Sequence, residues 1–215
     1  MKIFVALACL LAGCLAQEPQ PCESPPQMSG EISVNTSDER LEMYGKYLYD
    51  ALGQRIKLFE FRTLDNETFT YDLLLLYKEQ VAYEINDRNR TCIKRPLKGD
   101  FMPLAVPKEA SLLGQVVIGS SSAPGQGLLV NTWTGDLPKQ GGKYRMTVTE
   151  FGCIPVTTSV QTKPFGWIVQ NFFNNVIGIS DPSQFNPPSY CPDANSTTKS
   201  VQEPLDFFDF FHRKN

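Results

Sequence analysis

Residues 68–86 read TFTYDLLLLYKEQVAYEIN, and apolar and polar positions trade places in an ordered way along them. Thr68 to Tyr77 is almost continuously apolar, Lys78-Glu79-Gln80 is a short polar turn, and Val81, Tyr83 and Ile85 return at every second position. Side chains two apart share one face of a strand, so the stretch predicts a hairpin. The run Leu73-Leu74-Leu75-Leu76 is apolar at consecutive positions, which suits either a strand buried on both faces or a buried helix. The neighbouring Thr, Tyr and Phe residues favour the strand. Upstream, GKYLYDALGQRIKLFEFR predicts a second hairpin turning near Gly53. Downstream, GQVVIGS, QGLLVNTWTG, KYRMTVTEFGCIPVTTSVQT and GWIVQNFFNNVIGIS continue in the same style, with turn signals at Asp65-Asn66, Asp87 to Asn89, Pro124-Gly125 and Gly141-Gly142. About ten strands in sequence, with no long amphipathic helix between them, predict an all-β fold: an antiparallel sandwich or half-open barrel.

The N-terminal segment follows another rule. One cation, Lys2, precedes an apolar run from Ile3 to Leu15, which falls short of the roughly 20 residues a bilayer span needs. Cys14 and Ala16 put small residues at −3 and −1 of a cut before Gln17, so residues 1–16 predict a secretory signal peptide. LAGC also has the form of a bacterial lipobox, in which Cys14 would carry lipid. Four N-x-[ST] sequons, at Asn35, Asn66, Asn89 and Asn195, favour a eukaryotic secretory route and N-linked glycans. Either route leaves Cys22, Cys92, Cys153 and Cys191, an even set that sequence alone can pair in three ways. Residues 17–192 form the expected β domain. Residues 193–215 form a polar, partly flexible tail that ends in LDFFDFFHRKN, where Phe207, Phe208, Phe210 and Phe211 crowd together.

Charge and chemistry narrow the function. A formal net charge of −3 gives no basic face for nucleic acid, and IKRPLK at 93–98 reads as a solvated strand face. The single histidine, His212, sits in the tail, away from any cleft that could hold a catalytic triad. Neither a CxxC nor an HExxH motif is present. GSSSAPGQG at 119–127 lacks the Gly-Lys-[ST] ending of a phosphate loop and reads as a turn. Asp181, Asn174, Asn175 and Glu150 are oxygen donors for calcium in principle, without an EF-hand loop to organise them. The reading is therefore non-enzymatic. Beyond the leader no apolar run is long enough to span a membrane. Apolar material is abundant instead: Leu74, Leu76, Trp133, Trp167, Phe172 and Phe173 are candidates for a core or for the wall of an apolar pocket.

Several pieces together resemble one family. PCESPPQMSGEI, YDALGQRIKLFEF, LLLLYKEQVAYEIN, NRTCIKRPL, IGSSSAPGQGLLVNTWTG, TVTEFGCIPVTTS and FFNNVIGISDPSQFNPPSYC occur in order between Pro21 and Cys191 and are similar to ependymins and ependymin-related proteins. The FFDFF tail is similar to the ending of fish ependymins, whereas IGSSSAPGQGLLVNTWTG is closer to the ependymin-related branch. The resemblance implies a secreted glycoprotein of extracellular fluid, matrix or lysosome that associates with calcium and forms a non-covalent homodimer. It implies two stacked antiparallel sheets around a deep hydrophobic pocket, similar to bacterial lipoprotein carriers, and a lipid-like ligand. It also implies the pairings Cys22–Cys153 and Cys92–Cys191. A structural or adhesive matrix glycoprotein with no ligand pocket is the alternative.

Overall fold

The computed structural model describes residues 18–37, 42–63, 69–137, 142–162 and 166–192. The expected leader with Cys14 and Gln17, the sequons at Asn66 and Asn195, and the phenylalanine-rich tail with His212 lie outside them. Eleven strands are present: β1 (Gln27–Thr36), β2 (Glu42–Asp50), β3 (Arg55–Thr63), β4 (Phe69–Leu76), β5 (Val81–Asn86), β6 (Thr91–Pro96), β7 (Ser111–Gly119), β8 (Gly127–Leu137), β9 (Gly142–Thr149), β10 (Pro155–Thr162) and β11 (Gly166–Ile177). One 3-10 turn, Pro182–Phe185, follows them.

The all-β, antiparallel reading holds. Hydrogen bonds join the strands into a single open sheet in the order β6-β5-β4-β3-β2-β1-β11-β10-β9-β8-β7. It consists of two meanders, β1 to β6 and β7 to β11, and each strand in a meander pairs with its sequence neighbour. The meanders meet along one seam between β1 and β11, where Ile32 faces Phe172 and Thr36 faces Ile168. The expected two sheets are thus the halves of one ladder. Its edges are β6 and β7.

Alternation decides what each face buries. On the inner face Met28, Ile32, Val34, Met43, Tyr47, Tyr49, Leu58, Leu73 and Leu75 form the main cluster. The connection from β6 to β7 covers it. Phe101 stacks on Tyr49 with ring centroids 5.7 Å apart, and the Leu104 N–H donates to Tyr49 Oη at 2.9 Å. The N-terminal arm locks this cover: Ser24 N–H donates to Leu104 O at 2.9 Å, and Val106 N–H to Cys22 O at 2.8 Å. Val106, Trp133, Met146, Val148 and Cys153 continue the packing under the other meander.

The leucine run serves both faces. Leu73 and Leu75 belong to the inner cluster, while Leu74 and Leu76 pack on the outer face with Val81, Tyr83, Ile85 and Phe185. All four leucines are buried. Each contributes about 2–3 kcal/mol of transfer free energy as an upper estimate, which is why a strand with no polar face forms here rather than at an edge.

Candidate functional site

The outer cluster is roofed by residues 178–191, a strap that crosses the face of β2 to β5. Gly178 N–H donates to Gln27 O at 2.8 Å, which fixes the strap where it leaves β11. Asp181 caps the 3-10 turn by accepting from the Ser183 N–H at 3.0 Å, and its bonds to Ser183 hold its carboxyl below the usual range. Phe185 is driven into Leu74, Leu76 and Tyr83, and the Arg55 guanidinium lies 4.4 Å over its ring. At the far end Tyr190 donates to Asp87 and lies under Arg90. That hydrogen bond to a carboxylate pushes the phenol up to about 12. Tyr83 Oη donates to Pro192 O at 3.1 Å, and Cys191 is joined to Cys92 on the edge strand β6.

Recesses open on both sides of the strap. The larger, about 690 Å³, is lined by residues from β1 to β5 and by Gln184 of the strap. Cross-strand register builds it: Glu31 faces Lys46, Lys46 faces Phe59, Ser29 faces Leu48, and Asp72 faces Ile85. Leu48, Phe59, Tyr71 and Ile85 supply apolar surface, and Lys46 and Arg88 stand exposed beside it. The acidic groups are engaged. Glu31 accepts from Tyr44 and Asn174, which keeps its carboxyl low, and Asp72 lies 3.8 Å from the Lys57 ammonium. Lys57 in turn sits 4.6 Å over the Phe59 ring. The smaller recess, about 420 Å³, is lined by Arg55, Leu76, Phe185 and Pro187 among others. Gln184 of the strap borders the larger hollow and Phe185 the smaller.

The sequence-derived candidates distribute differently from one pocket wall. Leu74 and Leu76 lie under the strap, Trp133 and Phe172 lie in the inner packing, and all four are core. Trp167 sits on the outer side of the other meander, with the Arg145 guanidinium 5.2 Å over its ring. Phe173 is 43% exposed and packs loosely against Tyr44, 6.4 Å between centroids. The six do not meet, because strand alternation sends neighbours such as Phe172 and Phe173 to opposite faces. On the inner face, where a pocket between two sheets was expected, the arm and the β6–β7 connection pack over the main cluster. What the sequence reading missed is the strap: its one deep anchor, Phe185, stands in a polar, proline-rich stretch with no periodic signal.

The bridges are Cys22–Cys153 and Cys92–Cys191, as the resemblance implied. Asn89 is exposed in the turn between β5 and β6. Asn35 lies within β1, half-buried, with its Oδ1 unpartnered. Among the described residues no three His, Cys, Asp or Glu side chains converge. Asp181, Asn174, Asn175 and Glu150 are scattered, each occupied by protein partners. No described helix is long and apolar enough to cross a membrane.

Known proteins resemble the chain over most of its length. It is 30% identical to Ependymin of Notemigonus crysoleucas, over 97% of this chain and 98% of the relative. It is also 30% identical to Mammalian ependymin-related protein 1 of Mus musculus, over 84% and 80%. Among solved structures, an uncharacterized conserved protein from Thermus thermophilus covers 86% of this chain and 97% of its own, at 8% identity and a TM-score of 0.49. The ependymin family model matches residues 65–191, a span that begins just before β4 and ends at the bridge fastening the strap, and on these grounds the chain belongs to the ependymin family.

Proposed function

We propose that this chain is a secreted, non-enzymatic glycoprotein that carries a lipid-like ligand on the outer face of β2 to β5, between the sheet and the strap. The observation that carries this reading is the pair of recesses beside the strap, about 690 and 420 Å³, whose linings mix apolar and polar side chains. Pockets for small molecules run from about 300 to 1,000 Å³ and combine apolar lining with a few polar groups. Leu48, Phe59 and Ile85 supply the first, Lys46, Arg88 and Gln184 the second. Its extracellular setting is supported by the secretory leader pattern, the sequons and two bridges in the fold.

Native mass spectrometry of protein secreted by eukaryotic cells tests the reading. Co-purified lipid and saturable uptake of a fluorescent long-chain fatty acid are expected. Phe59→Ala, a half-buried position, should weaken uptake about tenfold without unfolding the sheet. A folded protein with a clean apo mass and no saturable uptake would instead favour a structural matrix glycoprotein. The cover that the arm and the β6–β7 connection place over the inner cluster is the observation that favours that second reading.

A further inference from the structure

Two sequons fall among the described residues, and their settings differ. Asn89 is exposed in a turn. Asn35 is half-buried near the end of β1, and its Oδ1 is buried without a partner. A buried acceptor that lacks a donor calls for an explanation. Ser37, the third residue of this sequon, is tied twice to β11. Its N–H donates to Trp167 O at 2.8 Å, and its Oγ accepts from the Trp167 N–H at 3.1 Å. Gly166 permits the approach, since a Cβ there would meet Ser37 Oγ at 2.5 Å. Asn35 faces Val169 across the seam, and Trp167 is two residues from Val169 on the same face. Such diagonal neighbours lie about 7–8 Å apart, within reach of an aromatic ring. The row continues away from the seam: Val169 faces Ser159, Ser159 faces Arg145, and Arg145 faces Thr134. Arg145 is the one charge along it. Among the described residues no carboxylate pairs with Arg145, and its guanidinium lies 5.2 Å over the Trp167 ring. It reaches that ring from β9, on the far side from β1 and Asn35.

We propose that this outer row is a carbohydrate subsite whose occupant is the chain's own N-glycan, attached at Asn35, crossing the seam and lying against Trp167. A pyranose has an apolar C–H face and a rim of hydroxyls. The indole offers the first an apolar, electron-rich surface, and Ser159, Arg145 and Thr134 offer the second donors and acceptors. The acetamido N–H of the first N-acetylglucosamine is the donor that Asn35 Oδ1 lacks. N-glycans are attached to the nascent chain, so burial of Asn35 in the finished strand does not bar attachment. A row with a single cation matches the neutral core of an N-glycan, whereas a sulfated polysaccharide needs a basic stripe. At the usual strand spacing the row is about 19 Å long, room for the first sugars of the core. Asn35 lies where β1 ends and β11 begins, at the opposite end of the seam from the Cys22 arm. The glycan therefore ties the two meanders at the end that the Cys22–Cys153 bridge does not reach. The inference rests on the glycoprotein part of the proposed function and not on its ligand.

Glycopeptide mapping of the full chain secreted by eukaryotic cells should find Asn35 occupied. An amidase that releases N-glycans, applied to the native protein, should strip Asn89 first and Asn35 at least about tenfold more slowly, with the difference gone after denaturation. Trp167→Leu keeps apolar bulk but loses the flat ring. It should speed release at Asn35 about tenfold and leave Asn89 unchanged, which makes Asn89 the internal control for folding. In Asn35→Gln, quenching of tryptophan emission by acrylamide should rise, because Trp133 is buried in both proteins and only Trp167 loses cover. Asn35 empty beside an occupied Asn89 would overturn this inference alone, whereas a chain with no glycan anywhere would overturn the glycoprotein reading with it. Equal release rates at Asn35 and Asn89, or quenching unchanged in Asn35→Gln, would also overturn it. Saturable binding of free chitobiose to a chain whose Asn35 is empty would give the face to a foreign glycan and overturn it as well.

Discussion

Gly30 shows how one residue shapes the seam. It sits at a register shift between Ser29 and Glu31 on β1, and a Cβ there would meet Phe173 O at 2.7 Å and both Asn175 Oδ1 and Tyr47 Cε1 at 2.9 Å. Two of those contacts are the partners of a 2.5 Å hydrogen bond from Tyr47 to Asn175, so neither can retreat easily. Gly30→Ala should cost about 1–3 kcal/mol in urea unfolding, from overpacking. Asp50 is a second residue defined by its neighbours. It is buried beside Gly53, Arg55 and Gln27. Burial raises its carboxyl, but the Gly53 N–H, the Arg55 guanidinium and the Gln27 amide together hold it below its ordinary value. Its contribution is therefore full above the unfolded value near pH 4 and fades as pH falls through the lowered folded value. Asp50→Asn should lose about 3 kcal/mol at neutral pH and flatten the acid limb of the stability profile. None of this was legible from residue order, because Gly30 and Asp50 acquire their roles from strands that meet only in the fold.

At the scale of the element, the sequence spoke where packing was most one-sided. The leucine run, the Lys78 to Gln80 turn and the β7–β8 loop were readable because long apolar stretches and turn residues act locally. Strand β1, central in the sheet, escaped: QMSGEISVNT offers only Met28, Ile32 and Val34 to the core, interrupted by Gly30. IKRPLK was read as solvated, yet Arg95 is buried and paired with Glu84 at 2.6 Å. Its partner arrives from the neighbouring strand, and no local pattern announces it. The strap was invisible for the same reason, since its position depends on a bridge to Cys92. Cys92→Ser with Cys191→Ser should free that end, cost up to about 4–5 kcal/mol in the chain-entropy model, and expose Leu74, Leu76 and Tyr83. Raised binding of an apolar dye and new cleavage within residues 178–191 would show it. A strap equally protected in the double variant would mean that Phe185 alone holds it.

At the scale of the molecule, long-range pairing dominates: β1 waits for β11, and the arm at Cys22 waits for Cys153, 131 residues away. Such topology slows folding, since loop closure precedes the contacts that reward it. Refolding from the reduced state should therefore be slower than from the oxidised, unfolded state, and it is checked by recovery of near-ultraviolet circular dichroism with and without reductant. The seam has a last consequence. Each bridge takes one cysteine from the first meander's side, Cys22 or Cys92, and one from the second's, Cys153 or Cys191. The sole peptide crossover between the meanders runs through residues 97–110, where Met102, Lys108 and Glu109 are exposed. A protease that cut there would produce a two-chain molecule, stapled twice and zipped along β1 and β11. It would migrate as one band until a thiol was added. Such a cut would leave the mass of the protein, apart from one added water, and its sheet intact.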